Sequence, residues 1–243
     1  MPAATSSATA RVIPPITGSP VTWCSSSAAR SGSSSASGIP GIACGRELSS
    51  STTASAVAGI RAQYELNVFG QLRVIRAVAP VLREQGTGQI VNISSLFAVT
   101  APPGLGVYAS TKAAMSSLGD ALRAELAPFG VSVTTVELGL FRTDFADERS
   151  LRIAGDRLTA YADGPVGQMW QGVQQVNGNQ PGDPTRAARV LVDVVESGRT
   201  PARLPLGPDT VALIEQSIDG LRTELAQWRD LAATTDHPAA PVD

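Results

Sequence analysis

Between Arg61 and Leu138 the chain reads helix, strand, helix, strand, and this alternation constrains the fold more than any other feature. In "QYELNVFGQLRVIRAVAPVLREQG", Leu66, Phe69, Leu72, Val74, Ile75 and Val78 fall around one helical stripe, which Gly86 and Gly88 close. "QIVNISS" is a short apolar strand ending in hydroxyl residues. A loop with Pro102, Pro103, Gly104 and Gly106 leads into a second helix over about 107–128, which Gly130 stops, and "VSVTTVEL" is again a strand. That order and spacing predict an α/β fold: a doubly wound parallel sheet whose crossover helices cover both faces, giving a three-layer sandwich. Further on, "GDPTRAARVLVDVVESG" is a helix with Asp183 as N-cap, Pro184 in its first turn and Gly198 after it. "ARLPLG" offers an edge strand, residues 209–232 an amphipathic helix, and residues 236–243 a frayed tail.

The first 60 residues follow other rules. They hold 15 serines and only four charged residues, Arg11, Arg30, Arg46 and Glu47. Stretches such as "CSSSAARSGSSSASG" have neither the helical nor the strand period, and too few apolar groups to offset their ordering entropy. The expectation is a disordered leader over 1–60, with the sheet's N-terminal strands missing or disordered, followed by one domain over 61–235. No apolar core follows a basic start, so the segment does not read as a secretory signal.

Net charge is -2 with no basic stripe, which argues against nucleic acid as a partner. No apolar run approaches the roughly 20 residues that span a bilayer, so no membrane association is expected. Cys24, Cys44 and His237 make neither a disulfide framework nor a metal cluster, and the expected compartment is the reducing cytoplasm.

The chemistry gathers at the carboxyl ends of the strands, where open parallel sheets bind ligands. Asn92, Ser94 and Ser95 lie at one such end and "ELGLFRTDF", residues 137–145, at another. Tyr108 and Lys112 open the helix beside them, spaced i, i+4 and so on one face. Lys112 is the only lysine in a chain that otherwise uses arginine. A phenol ionises near pH 10, and an adjacent ammonium favours the phenolate and lowers that value towards neutrality. A guanidinium carries charge too, but its broad planar fork does not replace a compact ammonium with three rotatable donors.

"NISS" followed by "YASTK", with Ser95 thirteen positions before Tyr108, resembles the short-chain dehydrogenase/reductase superfamily in its compact single-domain, Rossmann-like form. "ELNVFG" resembles the helix that carries that family's active-site asparagine, and "VELGLFRTDF" its nicotinamide-wrapping segment. The resemblance implies an NAD(P)-dependent oxidoreductase interconverting a secondary alcohol and a ketone. Tyr108 would be the general acid/base and Lys112 its pKa-lowering partner and ribose ligand. Ser95 would donate to the substrate oxygen, and Asn67 would hold a relay water. Gly139, Phe141 and Thr143 would flank the nicotinamide carboxamide. No metal is implied, and the choice between NAD and NADP is not readable.

Residues 145–180 occupy the place of the family's substrate lid. Phe145, Tyr161, Met169 and Trp170 make that segment apolar, which points to an apolar alcohol or ketone as substrate. The "FRTDF" and "RLPLG" segments lean towards the 17-beta-hydroxysteroid-dehydrogenase-like and retinol-dehydrogenase-like members. The family's interface helices would be those at 63–84 and 107–128, implying a homodimer or homotetramer. The N-terminus departs from the pattern and reads as atypical or truncated. "ITGSPVTWCSSSAARSG" has Thr17 and Gly18 without the three-glycine spacing of a pyrophosphate turn, "IACGREL" is a distorted echo of Asn-Asn-Ala-Gly, and Leu138 stands where proline is usual. These departures support a second expectation, a catalytically impaired relative that acts as a binding or oligomer-forming protein.

Overall fold

The structure, a computed structural model, describes residues 21–24, 46–48, 57–146, 151–153 and 161–237. Four parallel strands form the main sheet: β1 (Val21–Cys24), β3 (Gly88–Ile93), β4 (Val131–Leu138) and β6 (Arg203–Leu206), in the order β1-β3-β4-β6. A separate parallel pair joins β2 (Arg46–Leu48) to β5 (Leu151–Ile153). The helices are α1 (Val57–Tyr64), α2 (Gly70–Gln85), α3 (Gly106–Leu126), α4 (Pro165–Val176), α5 (Pro184–Glu196) and α6 (Pro208–Ala233).

The alternation of side chains along β3 separates the layers. Ile90 joins Val131, Val133, Met115, Leu126, Ile75, Val78 and Leu82 in a core between the sheet and helices α2 and α3. Its neighbour Val91 points the other way and packs with Val136 and Leu206 against Ala187, Leu191 and Val195 of α5. Burial on both faces explains why these strands read as continuous apolar runs. The result is the three-layer α/β sandwich expected.

Most boundaries lie where the punctuation put them. Asp183 caps α5 by accepting from the backbone N–H groups of Thr185 and Arg186 at 2.8 and 3.3 Å. Gly130 turns the chain from α3 into β4 at φ 72°, and a Cβ there would run into the carbonyl of Gly86. Glycine is therefore required twice over.

Two expectations are corrected. The first concerns the strands expected to be missing from the N-terminal 60 residues. Val21–Cys24 pairs in parallel with Gln89–Asn92, and Arg46–Leu48 pairs with Leu151–Ile153. "VTWC" is made of good strand formers, but four residues among serines carry no readable alternation. Residues 57–60 of the expected leader open α1, and the rest of it, including Thr17, Gly18, Cys44 and Gly45, lies outside the described residues, as do 147–150, 154–160 and 238–243. The second correction concerns the helical stripe. The run breaks into a π-helix at Glu65–Phe69 between α1 and α2. Its wider turn shifts the facing by one residue, so Val68 and Asn67 are buried and Phe69 is 50% exposed.

No helix among the described residues is long and apolar enough to cross a membrane.

Candidate active site

The carboxyl ends of β3 and β4 lie side by side, with Ile93 in register with Val136. Ser94 extends the ladder by one bond, its N–H donating to the Val136 carbonyl at 2.7 Å. Ser95 then turns away in an extended conformation and caps a short 3-10 turn, its Oγ accepting from the Phe97 N–H at 3.2 Å. That capping bond uses one lone pair of the hydroxyl and leaves its proton to be donated elsewhere.

Helix α3 begins beside this edge and places Tyr108 and Lys112 one turn apart. Both are buried, at 8% and 4% exposure. Lys112 Nζ donates to the carbonyl of Ile93 at 3.1 Å and lies 5.9 Å from the centre of the Tyr108 ring. An ammonium held this close to a phenol lowers the cost of ionising it. Thr111, fully buried between them, donates to the Tyr108 carbonyl at 2.7 Å and accepts from Asn67 Nδ2 at 3.1 Å. The π-helix is thereby fastened to the Tyr108 turn. Its inserted residue is what brings Asn67 inward.

The loop after β4 carries the other predicted residues. The Gly139 N–H donates to the Leu206 carbonyl at 2.9 Å, and the Leu140 N–H donates to Asp209 Oδ2 at 2.7 Å. A Cβ on Gly139 would overlap the Asp209 carboxylate, so this position needs glycine for close approach. Phe141 forms a parallel bridge with Gly182, fixing the loop to the segment ahead of α5. Thr143 is exposed, and its hydroxyl makes only a long 3.5 Å contact to the Phe141 carbonyl. The structure thus brings Asn67, Ser95, Tyr108 and Lys112 to the edge where β3 ends, and sets Gly139, Phe141 and Thr143 on the loop that leaves β4.

Over Tyr108 lies an apolar cluster of Leu105, Phe97, Phe145, Met169 and Trp170. The Phe145 ring sits 6.0 Å from that of Tyr108 at a tilt of 59°. Of the aromatic and Met residues expected in the lid, Phe145, Met169 and Trp170 converge on Tyr108, whereas Tyr161 is 38% exposed. The Trp170 indole N–H is buried with no hydrogen-bond partner.

Residues 41–153 match the family model for short chain dehydrogenase. Oxidoreductase BOA17 of Botryotinia fuckeliana is 32% identical over 171 residues, covering 70% of this chain and 61% of that protein. A short-chain dehydrogenase from Streptomyces avermitilis superposes with a TM-score of 0.72 at 37% identity, covering 79% of this chain and 69% of that one. This chain belongs to the short-chain dehydrogenase/reductase superfamily. A superfamily member from Burkholderia phymatum, solved in complex with NAD, has the same fold at a TM-score of 0.58 and 21% identity, covering 79% of this chain and 65% of that one. The chain spans 61% of the length of the Botryotinia relative.

A second layer beneath this short-chain dehydrogenase site escaped the sequence reading. Glu137, 1% exposed, sits near the end of β4 and accepts from Arg203 at 3.0 Å; Arg203 also pairs with Asp120 of α3 at 2.6 Å. Burial pushes the Glu137 carboxyl up from its ordinary range, and Arg203 opposes that rise. Ser94 Oγ donates to the Lys112 carbonyl at 3.1 Å and lies 3.0 Å from Ser116 Oγ. A lone acid within the apolar run "VSVTTVEL" was the available signal for Glu137. Nothing local distinguished Ser116 from a surface serine.

Proposed function

We propose that this protein is an NAD(P)-dependent oxidoreductase that interconverts a secondary alcohol and a ketone, with Tyr108 as general acid/base. The observation that carries this reading is the burial of the one lysine beside Tyr108 at a strand-end edge. In the reducing direction Tyr108 gives its hydroxyl proton to the carbonyl oxygen, and in the oxidising direction the phenolate takes it back. Lys112, one turn away, stabilises that phenolate. The Ser95 hydroxyl donates to the same substrate oxygen as charge develops on it. Asn67, tied to Thr111 behind Tyr108, is suited to holding a water on the proton's route to solvent.

The local chemistry fits a nicotinamide nucleotide. The Lys112 ammonium is the donor for ribose hydroxyls, the exposed Thr143 hydroxyl is free to face a carboxamide, and Gly139 and Phe141 shape the backbone beside it. When bound, the nicotinamide supplies or accepts the hydride. The pyrophosphate half falls to residues outside those described. The apolar cover of Phe97, Phe145, Met169 and Trp170 supports a lipophilic alcohol or ketone over a sugar, with steroid- and retinoid-like alcohols the nearest class. Pairing of copies through α2 and α3 completes the reading. Turnover of a panel of apolar ketones with NADH or NADPH tests it, with gel filtration for the pairing. Preference for polyols, or no hydride transfer with either nucleotide at saturating concentration, would overturn it.

A further inference from the structure

Helix α6 is docked along its first half and bare along its second. Thr210 is fully buried, and Leu213, Ile214 and Ser217 are half-buried. Ser217 Oγ donates to the Val99 carbonyl at 3.1 Å, in the loop that follows Ser95. From Ile218 to His237 every residue is exposed. At 1.5 Å per residue the arm runs about 20 Å past the docked half. Its sequence is not that of a solvated helix. Ile218, Leu221, Leu225 and Trp228 are 43, 63, 60 and 60% exposed, and they fall three, four and three residues apart. That is the 3.5-residue period of a coiled-coil seam, which a second helix covers along its length. With Leu231, also 60% exposed, they offer roughly 100 Å² of apolar surface apiece, a patch of the size that marks interaction sites. Pairing two copies removes on the order of 1,000 Å² from water, the size a specific interface has to reach.

Burial fixes how a partner helix can approach. The seam continues the stripe of Thr210, Ile214 and Ser217 that docks α6, so the protein's own body fills that side of the first half. A copy lying parallel would bring its body into the same space, whereas an antiparallel copy places its body beyond the free end. Centred between Leu221 and Leu225, the antiparallel pairing sets Leu221 against the partner's Leu225 and Ile218 against the partner's Trp228, each twice by two-fold symmetry. The same register brings Glu215 to the partner's Arg229 on the flank of the seam. Both residues are exposed, and neither forms an ion pair among the described residues, whereas Arg222 is held by Asp219 at 3.7 Å. One repulsion remains, between Glu224 and the partner's Glu224 near the two-fold axis. An anionic lipid surface fits less well, because the arm carries Asp219, Glu224, Asp230 and Asp236 against Arg222 and Arg229.

We propose that the free arm of α6 is a docking surface for a second copy of this chain, the two arms packing antiparallel along Ile218, Leu221, Leu225 and Trp228. This surface is separate from α2 and α3, and it is independent of turnover. Sedimentation equilibrium of the full chain over a wide range of concentration tests it. Leu225→Glu, at an exposed position, should sediment at half the wild-type mass with an unchanged melting temperature. Arg229→Glu turns both flanking attractions into repulsions and should raise the dissociation constant about tenfold, and adding Glu215→Arg should restore the wild-type value. The two residues lie about 20 Å apart along one helix, so such a rescue comes from contact between copies. Glu224→Gln relieves the one repulsion and should tighten the pairing. Equal masses for wild type and Leu225→Glu at every concentration overturn the proposal, as does a double variant that pairs no better than Arg229→Glu. Weaker pairing in Glu224→Gln overturns it in favour of parallel arms, where Glu224 would face the partner's Arg229. Binding of wild type but not Leu225→Glu to phosphatidylcholine vesicles, with no difference in mass between them, would assign the arm to a lipid surface and overturn it as well.

Discussion

Lys112 Nζ reaches across from α3 to the Ile93 carbonyl, 3.1 Å away at the last residue of β3, so the chain's one lysine is tied to the strand end beside Tyr108. The hydrogen bond is made by a compact ammonium at the end of a buried stem. A guanidinium in the same space is wider and planar, and cannot keep this bond while leaving donors for a ribose. Lys112→Arg should therefore retain the fold and the charge yet lose about 100-fold or more in kcat. Steady-state kinetics on a protein with an unchanged melting temperature is the check, and a near-normal rate would remove the rationale for a lysine here.

Tyr108→Phe removes only the ionisable oxygen. The ring stays in its cluster with Leu105 and Phe145, and Thr111 still bonds the backbone carbonyl of residue 108. Turnover should fall below detection while stability changes by less than about 1 kcal/mol. Chemical denaturation and a coupled nucleotide assay on one preparation separate the two outcomes.

Wherever burial on two faces dictated the text, the fold was legible. "VSVTTVEL" is the strand Val131–Leu138 with no boundary shifted, because an apolar run bounded by Gly130 and Gly139 has few other solutions. Tyr108 and Lys112 were legible as a pair because the helical period alone puts them on one face. Phe69 was not, since a π-turn depends on packing between Asn67 and Thr111, 44 positions apart. The Ser94–Ser116 contact and the Glu137–Arg203 pair were hidden for the same reason. The members of each come from different elements, and only the folded sheet makes them neighbours.

Glu137 also leaves a mark on stability. Burial raises its folded pKa above the ordinary 4.5, so the folded state holds a proton that the unfolded chain releases. Its contribution is fully present below about that unfolded value and is lost as pH rises through the folded one. Glu137→Gln removes the dependence. Its melting temperature relative to wild type should therefore climb between about pH 4 and neutrality. A difference that stays flat or reverses over that range contradicts a buried, upshifted carboxyl.

Arg203 is the only cation paired with Glu137 among the described residues, and its own side chain is 39% exposed. Arg203→Met leaves the acid buried without its cation. The full cost of breaking a buried pair is about 3–5 kcal/mol, and partial solvent access at Arg203 brings the expected loss to roughly 1–3 kcal/mol. The double variant Glu137→Gln with Arg203→Met should recover much of that loss, because an amide costs less to bury than a carboxylate. A double variant as unstable as the single one would mean that the Asp120 pair, not Glu137, accounts for the effect.

The last expectation concerns nucleotide affinity, where sequence and site pull in opposite directions. Tyr108, Lys112 and Thr143 offer grip on the nicotinamide and its ribose. The stretch around Thr17 and Gly18 lacks the three glycines with which a strand-to-helix turn cradles a pyrophosphate. Each missing charge-assisted hydrogen bond is worth about 1.5–3 kcal/mol, so losing two weakens binding by roughly two to four orders of magnitude. The chain is accordingly expected to bind NAD(H) or NADP(H) weakly, and a version carrying a Gly-rich βαβ unit in place of residues 1–60 should bind far more tightly and turn over faster. Calorimetric titration of both proteins decides between a working enzyme and an impaired relative. Micromolar affinity in the unaltered chain would mean that its serine-rich start builds a phosphate site without the usual glycines.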